Sequence, residues 1–169
     1  MLGNWNKCRE ERVGIMLHYD ASTSDPGAIA WLTKDERCKV SYTDLFMDDG
    51  RVIQIAPENA RAWHAGNCRP SGLIWYKDAN SAFYGLSIAA GAKDMATYKQ
   101  IESLIKRCVE LFKKHKWTAA DVSKRITDHE AEAWPRGRKC DVYGDKKVRT
   151  KPVLDIELVR GGVAKALGG

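Results

Sequence analysis

The clearest strand in the sequence is Val13-Gly14-Ile15-Met16-Leu17-His18-Tyr19, a short apolar run that the turn-forming residues 20–24 follow at once. An apolar run of this length that is closed by a turn is typical of a strand buried in a sheet. Asp25 and Pro26 then predict the start of a helix, because aspartate caps helices and proline suits their first turn. This helix is expected to end at about Arg37.

Strands and helices continue to alternate along the rest of the chain. An Asp-Gly step at residues 49–50, between two extended runs, predicts a hairpin. Thr97 and Gln100 predict a capping box at the start of the longest helix. The predicted elements after the first helix are strands at 40–47, 51–56, 83–90 and 125–127, helices at 97–116 and 153–167, and a loop at 130–151.

This alternation predicts an α/β fold in which a central mixed β-sheet is flanked by helices. The uncharged run 83–90 is the candidate for a central strand. The chain has 169 residues and contains no internal repeat, low-complexity tract or linker. A single domain over residues 1–169 is therefore expected.

The composition is that of a soluble globular protein, with 44% hydrophobic and 30% charged residues. No apolar run approaches the roughly 20 residues of a membrane-spanning helix, so membrane insertion is not expected. Residues 1–7 lack the apolar stretch of a secretory signal, which favours synthesis in the cytoplasm. The formal net charge of +6 suits polyanions, but no nucleic-acid-binding motif is found, so nucleic acid is not an expected partner. Five scattered cysteines favour reduced thiols, and Cys108 falls on the apolar face of the long helix.

Only four histidines are present, and two of them lie at the ends of predicted strands. His18 ends the first strand, and His129 comes after the strand at 125–127. Loops converge over the ends of the strands in a sheet, so these two side chains could meet in one pocket. His115 lies among lysines near a helix end, where a solvated histidine interacts favourably with the helix dipole.

A third ligand would turn the two histidines into a catalytic zinc site, which takes three protein ligands and keeps one position for water. Asp141 and Cys140 both lie within reach of His129, in the segment Gly137-Arg138-Lys139-Cys140-Asp141. Adjacent residues of an extended backbone point in opposite directions, so one of the two is expected to face the metal. The spacing alone does not choose between them.

Five segments occur in an order that a known family shares. They are Met16-Leu17-His18-Tyr19-Asp20-Ala21-Ser22, Val40-Ser41-Tyr42 with residues 45–52, Ala62-Trp63-His64-Ala65-Gly66, Asn80-Ser81 with Tyr84-Gly85-Leu86-Ser87-Ile88, and Asp128-His129-Glu130 with residues 137–141. With them the chain resembles the zinc-dependent N-acetylmuramoyl-L-alanine amidases. That family includes phage lysozymes of the amidase type, muropeptide-recycling amidases and peptidoglycan-recognition proteins.

The resemblance implies one Zn²⁺ per chain, in a groove at the strand ends, held by His18, His129 and Asp141. The family's third ligand stands two residues after a lysine, which selects Asp141. Cys140 is kept as the alternative, since some relatives use cysteine there. The implied partner is peptidoglycan, the implied reaction is hydrolysis of the amide bond between N-acetylmuramic acid and L-alanine, and a monomer is expected.

Five further residues receive roles from the resemblance. Lys139 would stabilise the oxyanion, and Tyr42 would position the water or pass a proton to the leaving nitrogen. His64, Trp63 and Asn80 are the implied substrate-binding residues. For His64 a structural hydrogen bond in its turn is the alternative, and for Trp63 a place in the core.

The sequence departs from the family pattern in two places. Recycling amidases carry a glutamate on the central strand, and Ser87 occupies that place here. Phage-type relatives also lack this glutamate, so the sequence favours an endolysin that reaches the cell wall after release, for example through a holin. A cytoplasmic recycling amidase is the main alternative, and a non-catalytic peptidoglycan-binding protein ranks lower because the ligand set is complete. The insertion-like stretch 145–151 is expected to alter the loop beside the metal.

Overall fold

Strands and helices alternate along the part of the chain that the computed structural model describes, residues 5–22, 24–35, 37–70, 74–91, 93–134 and 152–169. The strands in these ranges are β1 (Trp5–Lys7), β2 (Gly14–Tyr19), β3 (Asp44–Phe46), β4 (Val52–Gln54), β5 (Ala60–Ala62), β6 (Phe83–Ile88) and β7 (Ile126–Asp128). The helices are α1 (Asp25–Lys34), α2 (Ala79–Ala82), α3 (Tyr98–His115), α4 (Val122–Arg125), α5 (His129–Glu132) and α6 (Ile156–Ala166), and a 3₁₀ turn spans Ala119–Asp121. None of these helices combines the length and the apolar character that crossing a bilayer requires.

A mixed sheet lies at the centre of the fold and comprises, within the described ranges, five strands in the order β4-β3-β6-β2-β7. Strands β3, β6, β2 and β7 run parallel to one another, and β4 pairs antiparallel with β3 across the predicted hairpin. The uncharged strand β6 occupies the middle of the sheet. The predicted α/β fold with a central mixed sheet flanked by helices is therefore confirmed.

The two faces of the sheet bury different partners, because successive side chains of a strand point to opposite faces. Leu17 of β2 packs on one face, in a cluster that includes Leu104 of α3 and Val159 of α6. Met16, its neighbour, packs on the other face in a separate apolar cluster. His18 lies two residues after Met16 and shares its face, so helices α3 and α6 cover the side of the sheet that faces away from His18.

Hydrogen bonds hold the first turn of helix α3 against the sheet. The predicted capping box is present, since the backbone N of Gln100 donates to Thr97 Oγ1 at 3.1 Å and the backbone N of Thr97 donates to Gln100 Oε1 at 2.8 Å. Nε2 of Gln100 also donates to the carbonyl oxygens of Phe46 and Ala89, at 3.1 and 2.9 Å. Farther along the helix, Cys108 is fully buried as predicted, and burial raises the pKa of its thiol to about 12.

Several predicted boundaries were wrong for local reasons. The cap of α1 is Ser24 rather than Asp25, because the Ser24 hydroxyl accepts from the backbone N of Gly27 at 3.3 Å, and the helix ends at Lys34 rather than Arg37. The region predicted as loop from Glu130 begins inside the helical turn α5. The short elements β1, β5, α2 and α4 were not predicted, since three or four residues carry too little periodicity to be recognised.

The prediction of a solvated His115 was also wrong. Its Nε2 lies 2.8 Å from the hydroxyl of Tyr84, and its ring stacks on Trp117 with the centroids 4.5 Å apart. Burial lowers the pKa of this half-buried imidazole, and the neighbouring Lys114 lowers it further. His115 therefore joins the end of α3 to the central strand.

A buried arginine ties together the segments that precede β2, β5 and β6. The guanidinium of Arg12, 7% exposed, lies over the ring of Tyr84 at 4.6 Å from its centroid. It donates to the backbone carbonyl oxygens of Glu58, Ala60, Asn80, Ser81 and Phe83. Each of these carbonyls would lose a partner without the guanidinium, and a buried carbonyl without a hydrogen bond is costly. Arg12 therefore fixes α2 and the start of β6 relative to β5.

We predict that Arg12→Met lowers the free energy of unfolding by at least about 3 kcal/mol, because the loss of a buried charged donor costs roughly 1.5–3 kcal/mol per hydrogen bond. The measurement is urea unfolding followed by circular dichroism. Arg37→Met is the matched control, since the Arg37 side chain is 82% exposed and pairs only at the surface with Asp35. It should change the free energy by less than about 0.5 kcal/mol. Equal effects of the two substitutions would show that the Arg12 contacts do not stabilise the fold.

Candidate active site

Two histidines meet at the carboxyl ends of neighbouring parallel strands. His18 lies near the end of β2, and His129 directly follows β7, whose Asp128 is paired with Leu17 of β2. The centroids of the two imidazole rings are 5.1 Å apart, and the side chains are only 1% and 3% exposed. The sheet register thus brings together the two residues that the strand-end pattern singled out.

Hydrogen bonds fix the turns that carry these histidines. Oδ1 of Asp128 accepts from the backbone N of Ala131 at 2.8 Å and so caps α5, which begins with His129. Oδ1 of Asp20 accepts from the backbone N of Ala90 at 3.1 Å and holds the turn after β2 against the end of β6. Burial raises the pKa of both carboxyl groups, because it removes water from their charged forms.

A third histidine, His64, contacts the first. Its Nδ1 lies 3.0 Å from Nε2 of His18, and its Nε2 lies 3.3 Å from the carbonyl oxygen of Phe83. Burial lowers the pKa of His64 well below its usual range, and the adjacent rings of His18 and His129 lower it further. His64 is therefore a neutral imidazole near neutral pH, with one donor and one acceptor nitrogen.

The hydrogen bonds show which nitrogen of each ring donates. A carbonyl oxygen only accepts, so Nε2 of His64 donates to Phe83, and Nδ1 of His64 accepts from Nε2 of His18. Nε2 of His129 lies 2.5 Å from the carbonyl oxygen of Ala65 and donates in the same way. His18 and His129 thus each donate Nε2–H to a neighbouring acceptor. A histidine that binds a metal usually donates its other ring N–H in this way.

The ring of His64 fits only because residue 85 has no side chain. A Cβ at Gly85, on the central strand, would lie 2.5 Å from Cγ and 2.6 Å from Cδ2 of His64. Distances this short do not occur between packed carbon atoms, so any other residue would displace the imidazole. Gly85 therefore makes room for the contact between His64 and His18.

Tyr42 joins the cluster from the segment before β3. The centroid of its ring is 5.2 Å from that of His18, and the side chain is 7% exposed. The next residue, Thr43, donates its backbone N–H to the carbonyl oxygen of Gly85 at 2.7 Å, which holds this segment against the central strand. The structure therefore brings His18, His64, His129 and Tyr42 together.

The remaining predicted residues of the metal site, Lys139, Cys140 and Asp141, lie outside the described residues. Among the residues that are described, no three histidine, cysteine, aspartate or glutamate side chains form a complete group for holding a metal ion. The assignments of Asp141 as a ligand and of Lys139 as a catalytic residue stay predictions.

A cavity of about 410 Å³ opens beside the cluster. The described residues that line it are Lys39, Val40, Arg61, Trp63, His64, Ala65, Gly66, Asn80 and His129. Trp63 is 38% exposed and thus lies at the cavity wall rather than in the core. The three residues predicted to bind substrate, His64, Trp63 and Asn80, all border this cavity, and their binding roles stay predictions.

Two cationic residues of the cavity wall, Lys39 and Arg61, were missed in the sequence. The guanidinium of Arg61 is paired with the carboxylate of Asp78, with Nε–Oδ2 at 2.5 Å and Nη2–Oδ1 at 3.2 Å. Arg61 could have been predicted as a residue of the cavity wall, because it immediately precedes the Ala62–Gly66 segment. Lys39 offers no comparable signal, because it is one of 28 lysines and arginines in the chain.

Known proteins resemble this chain in sequence and in fold. Residues 10–143 match the family model described as N-acetylmuramoyl-L-alanine amidase. The chain is similar to the 1,6-anhydro-N-acetylmuramyl-L-alanine amidase AmpD of Escherichia coli K12, with 25% identity over 143 residues, which cover 85% of this chain and 69% of that protein. A crystal structure of a selenomethionine derivative of AmpD superimposes with a TM-score of 0.73 at 19% identity, over 96% of this chain and 92% of the other. A mutant endolysin from Bacillus subtilis gives a TM-score of 0.64 at 20% identity, over the same shares of 96% and 92%.

We predict that Gly85→Ala destabilises the protein by roughly 1–3 kcal/mol, the usual cost of forcing an extra carbon into a packed site. Gly161→Ala on α6 is the matched control, since a Cβ there meets nothing within 4 Å. It should stabilise the helix by up to about 1 kcal/mol, because alanine favours helices over glycine. Chemical denaturation of the two variants measures the difference. A Gly85→Ala protein as stable as the parent would contradict the close approach of His64.

Proposed function

This chain belongs to the N-acetylmuramoyl-L-alanine amidase family, and we propose that it is a zinc-dependent hydrolase that releases stem peptides from bacterial peptidoglycan. The bond cleaved is the amide between N-acetylmuramic acid and L-alanine. The zinc proposal depends on the buried pair His18 and His129. Their ring centroids are 5.1 Å apart, and each donates its Nε2–H to a neighbour. A histidine that binds a metal through Nδ1 donates its other ring N–H to a neighbour in this way.

The donor set suits zinc. Catalytic zinc sites use neutral imidazoles and carboxylates as three protein ligands and keep a fourth position open. His18 and His129 would supply the imidazoles and Asp141 the carboxylate, with Cys140 as the alternative. His64 Nδ1 and the carbonyl oxygen of Ala65 accept the other ring N–H groups, the kind of contact that orients a metal-binding imidazole.

The chemistry that zinc supplies when bound is Lewis acidity toward a carbonyl oxygen and toward water. Tyr42, with its ring 5.2 Å from that of His18, would hold the attacking water or pass a proton to the alanine nitrogen as it leaves. Lys139 would stabilise the negative charge that develops on the carbonyl oxygen. The cavity that Trp63, His64 and Asn80 border would hold the muropeptide.

We predict that His18→Ala and Asp141→Ala each abolish stoichiometric zinc binding and amidase activity together, because each removes one of three ligands. Cys140→Ser is the matched control beside Asp141 and should keep one zinc per chain and most of the activity. Zinc content is measured by elemental analysis of the purified variants, beside the amidase rate of each. If Cys140→Ser loses zinc while Asp141→Ala keeps it, the third ligand is Cys140.

Within the family we favour an enzyme of the endolysin type over a recycling amidase. The resemblance places Ser87 where the recycling branch has a glutamate. Ser87 is paired with His18 in parallel register, so the two side chains share one face of the sheet. Its hydroxyl is fully buried and lies 3.4 Å from the carbonyl oxygen of Ile88. A serine hydroxyl holds its proton near neutral pH, so Ser87 does not replace a carboxylate that handles protons.

The substrate separates the two branches. An endolysin should release stem peptides with a free L-alanine amino group from intact purified cell walls, without new reducing sugar ends. We predict this result, measured by mass spectrometry of the released peptides, with His18→Ala as the inactive control. Activity on soluble 1,6-anhydro-muropeptides alone would assign the chain to muropeptide recycling. New reducing ends would contradict amidase chemistry itself.

A further inference from the structure

One short turn, residues Trp63–Gly66, contacts both histidines of the proposed metal site. Nδ1 of His64 lies 3.0 Å from Nε2 of His18, and the carbonyl oxygen of Ala65 accepts from Nε2 of His129. His18 and His129 come from different strands, and the turn reaches both of their rings. The position of this turn therefore sets the direction of both imidazoles at once.

The side chain of Asn80 holds the turn from behind. Its Oδ1 accepts from the backbone N of His64 at 2.9 Å and from the backbone N of Ala65 at 2.8 Å. Two N–H donors on the same atom identify it as the oxygen of the amide rather than its nitrogen. The Asn80 side chain is 6% exposed, so water does not readily replace these two bonds.

Asn80 is itself held by contacts other than those with the turn. Its backbone N donates to Oδ1 of Asp78 at 3.2 Å, and the carboxylate of Asp78 is paired with Arg61. Its carbonyl oxygen accepts from the buried guanidinium of Arg12 at 3.3 Å. The amide oxygen thus stands on an anchored helical turn and offers a stationary acceptor.

We propose that Asn80 is a positioning residue for the His18–His129 pair, acting through the Trp63–Gly66 turn, rather than a residue that binds substrate directly. This proposal rests on the proposed function, in which that pair holds zinc. Without the acceptor oxygen, two buried backbone N–H groups lose their partner, and the turn shifts to satisfy them. The shift moves the acceptors of both histidine N–H groups and thus changes the direction of both imidazole rings.

Three variants of the full chain test this role. Asn80→Leu has a similar volume but no acceptor, and loss of such an outer contact should raise the zinc dissociation constant roughly 10- to 100-fold. Asn80→Asp keeps acceptor oxygens at the same place and should restore zinc affinity to near that of the parent. Ser81→Ala is the matched control on the same helical turn, because its hydroxyl contacts Asp78 and not the histidines. It should leave zinc affinity unchanged.

Zinc affinity is measured by competition with a chromophoric chelator, and the visible absorption of the Co²⁺-substituted protein reports the ligand geometry. A changed Co²⁺ spectrum in Asn80→Leu, restored in Asn80→Asp, supports the positioning role. Unchanged zinc affinity and spectrum in Asn80→Leu, with a raised KM in both Asn80 variants, would overturn it in favour of a substrate contact. If Asn80→Leu does not fold by circular dichroism, Asn80→Ala replaces it with the same expected results. A parent protein that binds no zinc refutes the proposed function instead, so the two failures are distinguishable.

Discussion

The parallel pairing of β2 with both β6 and β7 is the constraint on which the site depends. Parallel strands end at the same edge of a sheet, so residues from distant parts of the chain arrive there side by side. The pairing of Leu17 with Asp128 sets His18 beside His129, although 111 residues separate them, and the pairing of Met16 with Gly85 opens the space that His64 fills. A shift of β7 by one residue would turn His129 to the other face. Backbone hydrogen bonds therefore specify a geometry that no local sequence could hold.

Burial of His64 explains why its ring can lie so close to that of His18. A protonated imidazole at this buried position would have lost its water. Desolvation keeps His64 neutral, and a neutral ring accepts from His18 while it donates to Phe83. Because Nε2 of His64 donates to Phe83, its Nδ1 is the acceptor for His18. The chain of bonds runs from the backbone of the central strand to the proposed metal ligands.

The sheet and the two strand-end histidines could be predicted because their signals are local. Residues 13–19 are an apolar run closed by polar residues, residues 83–90 are an uncharged run, and Thr97 with Gln100 mark a helix start within four residues. The role of His64 could not be derived in this way, since its contact with His18 depends on Asn80 and Gly85, which come 16 and 21 residues later in the chain. The resemblance to known amidases singled out both His64 and Asn80 but assigned them to substrate. The short turn α5 did carry a readable signal, because Asp128 caps it directly before His129.

The contact between His64 and Gly85 also limits how this protein can change over generations. Residues 64 and 85 are constrained together, because the imidazole of His64 leaves no space for a Cβ at residue 85. A lineage that loses the imidazole becomes free to acquire a side chain at residue 85, and that acquisition then blocks the return of the imidazole. If His64 is lost and Gly85 is then replaced by a residue with a side chain, a single substitution cannot restore the ancestral histidine contact.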